Sequence, residues 1–126
     1  MAKKTSPTAR SLAVLRERGY IAEVVERWNP YARVRQDLFN CIDIVALRHG
    51  ELLGVQTTTT GNMGARVAKI LAEPAMLAWV NAGGTLVVHG WAKRGKAKVW
   101  TLKELPMVAR DFSTIPPNTS CDASQR

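Results

Sequence analysis

Cysteine is almost absent from this chain. Cys41 and Cys121 are the only two, with no spacing that could hold a metal and no framework for disulfides. Cys41 lies in an apolar run and reads as a buried thiol, and Cys121 lies in a polar stretch and reads as a loose one. Long hydrophobic runs are also missing: none approaches the roughly 18 residues needed to cross a bilayer. Lys3 and Lys4 near the N-terminus have no apolar stretch behind them, so no secretory signal is expected. The expected compartment is the cytoplasm, with no membrane partner. Acid is scarce too. Ten Asp and Glu face 18 Lys and Arg, for a net charge of +8 and a pI near 10.1. A small basic protein of this kind suits a polyanion, nucleic acid first.

What remains is enough for one packed domain. The chain has 126 residues, 46% of them hydrophobic and 22% charged, which fits one core and excludes a disordered polymer. Residues 1–6 read as a basic arm, 7–112 as the domain, and 113–126, rich in Pro, Ser, Thr and Asn, as a mobile tail. Asn118-Thr119-Ser120 matches a glycosylation sequon by chance.

Local signals order the elements. Ser6 caps a helix over 7–18, Pro7 occupies its first turn, and Gly19 stops it with Tyr20 folding back. Residues 20–28 read as one strand ended by Asn29-Pro30, and the Arg-rich segment 31–40 as a loop. Two short apolar strands, 41–47 and 51–58, flank a tight turn at His49-Gly50, and 57–61 read as a polar exit loop. Asn62 is a candidate cap for a helix over 63–72, with Arg66 and Lys69 together on its polar face. A second helix starts at Glu73-Pro74 and stops at Gly83-Gly84. A strand over 85–91, a basic turn over 92–96 and a last strand near 98–105 complete the order.

The hairpin carries the sharpest inference. A two-residue turn at His49-Gly50 makes antiparallel partners sum to 99, so Asp43 faces Gln56 and Cys41 faces Thr58. Directly opposed side chains share a face roughly 4.5–5.5 Å apart. An acid, an amide and a hydroxyl therefore meet at the open end of the hairpin, with Ile42, Ile44, Val55 and Thr57 on the opposite face. An Asp in an apolar strand is costly unless compensated. Two readings stay open: a ligand set for a hard cation such as Mg²⁺, or a structural pair in which Gln56 donates its amide hydrogens to Asp43.

This arrangement resembles the PD-(D/E)XK nuclease superfamily in its small Holliday-junction-resolvase-like and phage-encoded branches. Asp43-Ile44-Val45-Ala46-Leu47 is similar to the family's Asp motif, and Gln56-Thr57-Thr58 lies where (D/E)-x-K belongs. The likeness spans about residues 7–91 in element order. It implies an α/β, restriction-endonuclease-like core: a central mixed sheet with an antiparallel three-strand meander, flanked by helices. It also implies phosphodiester hydrolysis in DNA, possibly branched DNA, with Mg²⁺ or Mn²⁺ as cofactor. Asp43 and Gln56 would hold the metal. Thr58 replaces the motif lysine, whose role Lys69, or Arg66 in second place, could fill from the following helix. Glu26 and Asp37 are candidate additional carboxylates, while Glu17 lies too near the end of the first helix. The alternative is a binding module that keeps the basic surface and has lost the chemistry. A homodimer is left open.

Other residues carry double readings. Arg33, Arg35, Arg66, Lys93, Arg94, Lys96 and Lys98 are candidate nucleic-acid contacts or simply solvated charge. Trp91 beside the basic turn is a stacking candidate, whereas Trp28, Trp79 and Trp100 read as packing. His49 reads as an exposed turn residue. His89 reads as a satisfied strand histidine, with a phosphate contact as its alternative.

Overall fold

A computed structural model describes residues 6–112. The basic arm, but for Ser6, the tail, its sequon and Cys121 lie outside the described residues. The elements run α1 (Pro7–Glu17), β1 (Ile21–Val24), β2 (Arg27–Asn29), β3 (Val34–Gln36), β4 (Ile44–Arg48), β5 (Glu51–Thr59), α2 (Met63–Ala72), α3 (Pro74–Asn81), β6 (Thr85–Arg94) and β7 (Val99–Met107). The protein is α/β, with a five-stranded mixed sheet of order β1-β4-β5-β6-β7 and a separate two-stranded sheet β2-β3. As expected, β1, β4 and β5 form an antiparallel meander. Strand β6 runs parallel to β5, which requires the helical crossover through α2 and α3. No helix among the described residues is long and apolar enough to cross a membrane.

Helix α1 begins and ends on the expected residues. Ser6 Oγ accepts from the Ala9 amide and Pro7 fills the first turn. Gly19 takes φ +94°, and the amides of Gly19 and Tyr20 bond the carbonyls of Arg16 and Leu15, a Schellman stop. Leu15 then packs on Ala22, Ile44, Ala46, Leu53, Val55 and Val87 on one sheet face. On the other face α2 and α3 bury Met63, Ile70 and Met76 against Ile42, Leu86 and Val88. Gly90 allows the start of α2 to approach β6: a Cβ there would collide with Met63 Sδ.

Several expectations need correction. The single strand over 20–28 is two strands in different sheets, because the chain turns away at Val25 and Glu26. The Arg-rich loop contains β3, which pairs with β2 so that Trp28 lies opposite Arg35. The expected exit loop begins too early: 57–59 remain in β5, and a 3₁₀ turn covers Thr60–Asn62. Asn62 does not cap α2 through its side chain, which instead donates to Thr59 Oγ1. The basic turn sits at 95–98, so Lys93 and Arg94 belong to β6.

Candidate functional site

The β4–β5 ladder has the expected register, from Arg48 opposite Glu51 to Ile44 opposite Val55. It ends there because the backbone bends at Asp43. The Asp43 amide still donates to the Val55 carbonyl, and the Asp43 carbonyl accepts from the Val25 amide. The side chain is thereby held at the open end of the sheet. Asp43 Oδ2 accepts from Gln56 Nε2 at 2.9 Å, from the Thr57 amide at 2.8 Å and from Thr57 Oγ1 at 3.1 Å. The Asp43–Gln56 contact is therefore as expected. Thr57 keeps its expected face, with Ile44 and Val55 toward α1, and the bend turns Asp43 to it. Ile42, expected on that same face, packs instead with Leu86 and Val88 on the other. Thr57 Oγ1 also meets Thr8 Oγ1 at 2.8 Å, tying the start of α1 to the site.

Thr58 does not join the group. It is buried opposite Gly90 in the parallel register. Among the described residues its side chain has no hydrogen bond to Asp43 or Gln56, and Cys41 is not its partner. The chain folds back instead through a bridge between Leu38 and Ile42, with Phe39 and Asn40 at positive φ. Cys41 Sγ lies 4.0 Å from the Lys69 carbonyl, and burial pushes its thiol up to about 11, so it is the inert buried thiol expected.

That reversal has a chemical consequence. With Leu38 bridged to Ile42, Asp37 comes opposite Asp43. Glu26 enters from the other side, where the chain leaves β1. Carboxylate oxygens of Glu26, Asp37 and Asp43 all lie within 4.8 Å of one another. The sequence placed these three acids toward one end of the sheet, and the structure brings them together. Burial, and then the hydrogen bond to Asp37, push the Asp43 carboxyl up to about 7, against the opposing effect of the Thr57 donors. Arg35 reaches the group, its Nη1 3.3 Å from Glu26 Oε2.

Gln56 completes the group. It is 2% exposed. Its Nε2 is bound to Asp43, and its Oε1 has no hydrogen-bond partner among the described residues. A buried carbonyl oxygen left unpaired costs free energy of order 1–3 kcal/mol. Three carboxylates and an unpaired amide oxygen form a donor set of hard oxygens, the chemistry of Mg²⁺ and Mn²⁺ sites.

The remaining candidates lie around this end or away from it. Lys69 is exposed and Arg66 half-buried on α2. Exposed Glu17 is not one of the three acids. Arg33 is exposed in the β2–β3 turn. Strand β6 runs alongside β5, reaches Trp91 opposite Thr59, and continues to Arg94. Lys93, Arg94, Lys96 and Lys98 are all exposed, so they project past the acidic end of the sheet. His49 is exposed at the opposite end.

Trp91 is no stacking surface. It is buried and donates to Ser11 Oγ at 2.9 Å, which also meets His89 Nδ1 at 2.8 Å. Trp100 is the more exposed ring, with the Arg10 guanidinium 3.8 Å and Lys93 Nζ 5.3 Å from its centroid. His89 is fully buried, and burial pushes its pKa down to about 4, so it is a neutral core histidine.

No protein-family model matches this chain, and neither a curated protein nor a solved structure is found similar to it.

Proposed function

We propose that this protein is a divalent-metal-dependent nuclease that hydrolyses phosphodiester bonds in DNA. The observation that carries this reading is the meeting of Glu26, Asp37 and Asp43 beside the unpaired Gln56 Oε1. Two carboxylates in contact must share a proton or a cation, and a protein of net charge +8 draws a polyanion to its surface. The α/β order with a mixed five-stranded sheet, and Asp43 facing Gln56 across β4 and β5, resemble a restriction-endonuclease-like core, and that resemblance supports the same reading.

Asp43, Asp37 and Glu26 would hold Mg²⁺ or Mn²⁺ with Gln56 Oε1. When bound, such an ion lowers the pKa of water and offsets charge on a phosphate. Thr57 and the Gln56 amide fix Asp43 by filling Oδ2, and Oδ1 would be its ligand atom, with the ion taking the place of the proton shared with Asp37. Arg35 holds Glu26 by an ion pair. Lys69, on the helix beside Cys41, supplies positive charge toward a departing oxyanion. Lys93, Arg94, Lys96 and Lys98 hold the DNA backbone beyond the site.

One observation favours a second reading, a non-catalytic DNA-binding module: Thr58 stands in the motif-lysine position and is buried. The two readings separate in one assay. Branched, duplex and single-stranded DNA are incubated with Mg²⁺ and with Mn²⁺, using wild type and Asp43→Asn. Cleavage by wild type alone supports the nuclease. Folded wild type that binds DNA and leaves every form intact with both ions overturns it.

A further inference from the structure

The two feet of the β2–β3 hairpin are site residues: Glu26 immediately precedes β2, and Asp37 immediately follows β3. Between them, residues 27–36 carry Arg27, Arg33 and Arg35 and no acid. The tip is built to hold its shape. Asn29 Oδ1 accepts from the amides of Tyr31 and Ala32, the Arg33 amide bonds the Asn29 carbonyl, and Arg33 takes φ +57°. An Asx turn of this kind stiffens a loop without burying it.

This hairpin also displays aromatic surface. Trp28 is 56% exposed and Tyr31 96%. Trp91 gives its N–H to Ser11, Trp79 gives its own to the Thr85 carbonyl, and Trp100 is covered by two cations. Among the described residues neither Trp28 nor Tyr31 has a ring or cation partner. Trp28 lies opposite Arg35 on one hairpin face, and Arg35 reaches Glu26. Aromatic ring, guanidinium and carboxylate thus follow one another toward the acids. At about 3.3 Å per strand residue, Trp28 is roughly 7 Å beyond Glu26.

We propose that the β2–β3 hairpin is a nucleic-acid-reading arm. Trp28 and Tyr31 stack on unpaired bases, Arg27 and Arg33 take the adjacent phosphates, and the substrate class is DNA with unpaired nucleotides next to the bond that is cut. Exposed rings among uncompensated cations suit single-stranded DNA, because every base offers a face to stack on while the backbone supplies the charge. Fully paired DNA hides those faces. The basic β6–β7 tip, whose one ring is already covered, tracks the backbone of any form alike. The statement about the cut bond rests on the nuclease reading; the statement about binding does not.

The test is therefore made without metal. Fluorescence anisotropy in EDTA measures the affinity of the full chain for three labelled probes: an oligothymidylate, a duplex with a central run of unpaired thymidines, and a blunt, fully paired duplex. Wild type should bind the first two more tightly. Trp28→Ala and Tyr31→Ala should each weaken those two by about tenfold and the paired duplex by less than about twofold. Trp28→Phe should restore most of the loss. Lys96→Ala with Lys98→Ala should weaken all three alike. Tyr31, almost wholly exposed, decides the matter should Trp28→Ala disturb folding. Equal wild-type affinity for the three probes, or equal losses on all of them in the ring variants, overturns the proposal. So does a wild-type dimer in sedimentation that Trp28→Ala disperses, because the rings would then serve a second copy. With Mg²⁺ or Mn²⁺ added, a preserved binding pattern without cleavage of any probe removes the nuclease reading and leaves the arm standing.

Discussion

Two groups of buried polar side chains lie on neighbouring strands, one under α1 and one at the open end of the sheet. Under α1, Ser11 Oγ serves both His89 Nδ1 and Trp91 Nε1. His89 Nε2 stands 3.4 Å from Glu104 Oε1, near but not aligned for a hydrogen bond. Glu104 is itself held by Arg18 through two contacts of 2.8 and 2.9 Å. Each formal charge in this group has an opposite one, and the histidine is neutral. At the open end, among the described residues, three acids share one ion pair, that of Glu26 with Arg35, one carboxyl is pushed up to about 7, and an amide oxygen is unpaired. Each group leaves one polar atom without a partner. Surplus charge of one sign is what separates them. The first group is balanced in charge as it stands, and the second asks for a cation.

The sharpest way to break this comparison is to remove the surplus. Asp43→Asn keeps the shape and an acceptor for Thr57 while deleting one charge. Cleavage should fall by about a thousandfold or more, with the melting temperature at neutral pH unchanged or higher. A variant that melts well below wild type, or retains activity, would mark Asp43 as a structural residue. The mirror experiment is Ser11→Ala, which orphans His89 Nδ1 and Trp91 Nε1. It should cost about 2 kcal/mol of stability in denaturant unfolding and leave the cleavage rate per folded molecule as it was. Loss of rate without loss of stability would move the α1 cluster into the functional site.

The sequence disclosed the two groups unequally, for a physical reason. The His49-Gly50 turn set the register of β4 and β5 by local chemistry, and with it the approach of Asp43 to Gln56. Strict alternation then failed at Asp43, because a chain that bends out of its ladder no longer places side chains by parity. This is why Ile42 was assigned to the wrong face and Thr58 to the site. The break at Val25-Glu26 was hidden because 20–28 carries strand-like residues throughout. Phe39-Asn40, an aromatic followed by a residue that tolerates positive φ, lies between Leu38 and Ile42. That was the available signal for the reversal that sets Asp37 opposite Asp43. The Ser11–His89–Trp91 group spans up to 80 positions and left no local pattern. Trp91 looked like a binding ring from its basic neighbours, and only the packing of α1 shows it buried.

Titration sharpens the comparison, since the two groups respond to pH in opposite directions. A carboxyl whose pKa rises on folding holds its proton more tightly when folded. The stability Asp43 contributes is full below the ordinary value of 3.8 and is lost as pH rises toward about 7. A histidine whose pKa falls on folding does the reverse, so the contribution of His89 is lost as pH drops from 6.5 toward about 4. Metal must displace the Asp43 proton below about pH 7. The rise in melting temperature on adding Mn²⁺ should therefore be larger at about pH 8 than at about pH 5.5, and apparent affinity should drop about tenfold per pH unit below 7. An ion-induced shift that ignores pH breaks the link between the shared proton and the cation.

The smallest expected effect comes from Gln56→Glu, which raises the contrast instead of removing it. The Gln56 amide now does two things. Its Nε2 donates to Asp43 Oδ2, which steadies the metal-free site, and its Oε1 waits unpaired. A glutamate keeps an oxygen at the second position and loses the donor at the first. Without metal, a fourth acid then joins three others in a buried place, so the unfolding free energy near neutral pH should drop by about 1–2 kcal/mol, and the melting temperature with it. With metal, the added charge strengthens a hard-cation site, and affinity for Mn²⁺ by calorimetry should rise severalfold at about pH 8. At about pH 5.5 the gain should vanish, because the extra carboxyl is protonated along with its neighbours. A variant that weakens metal binding at high pH, with its metal-free stability intact, would show that Gln56 braces Asp43 and lends no oxygen to the ion.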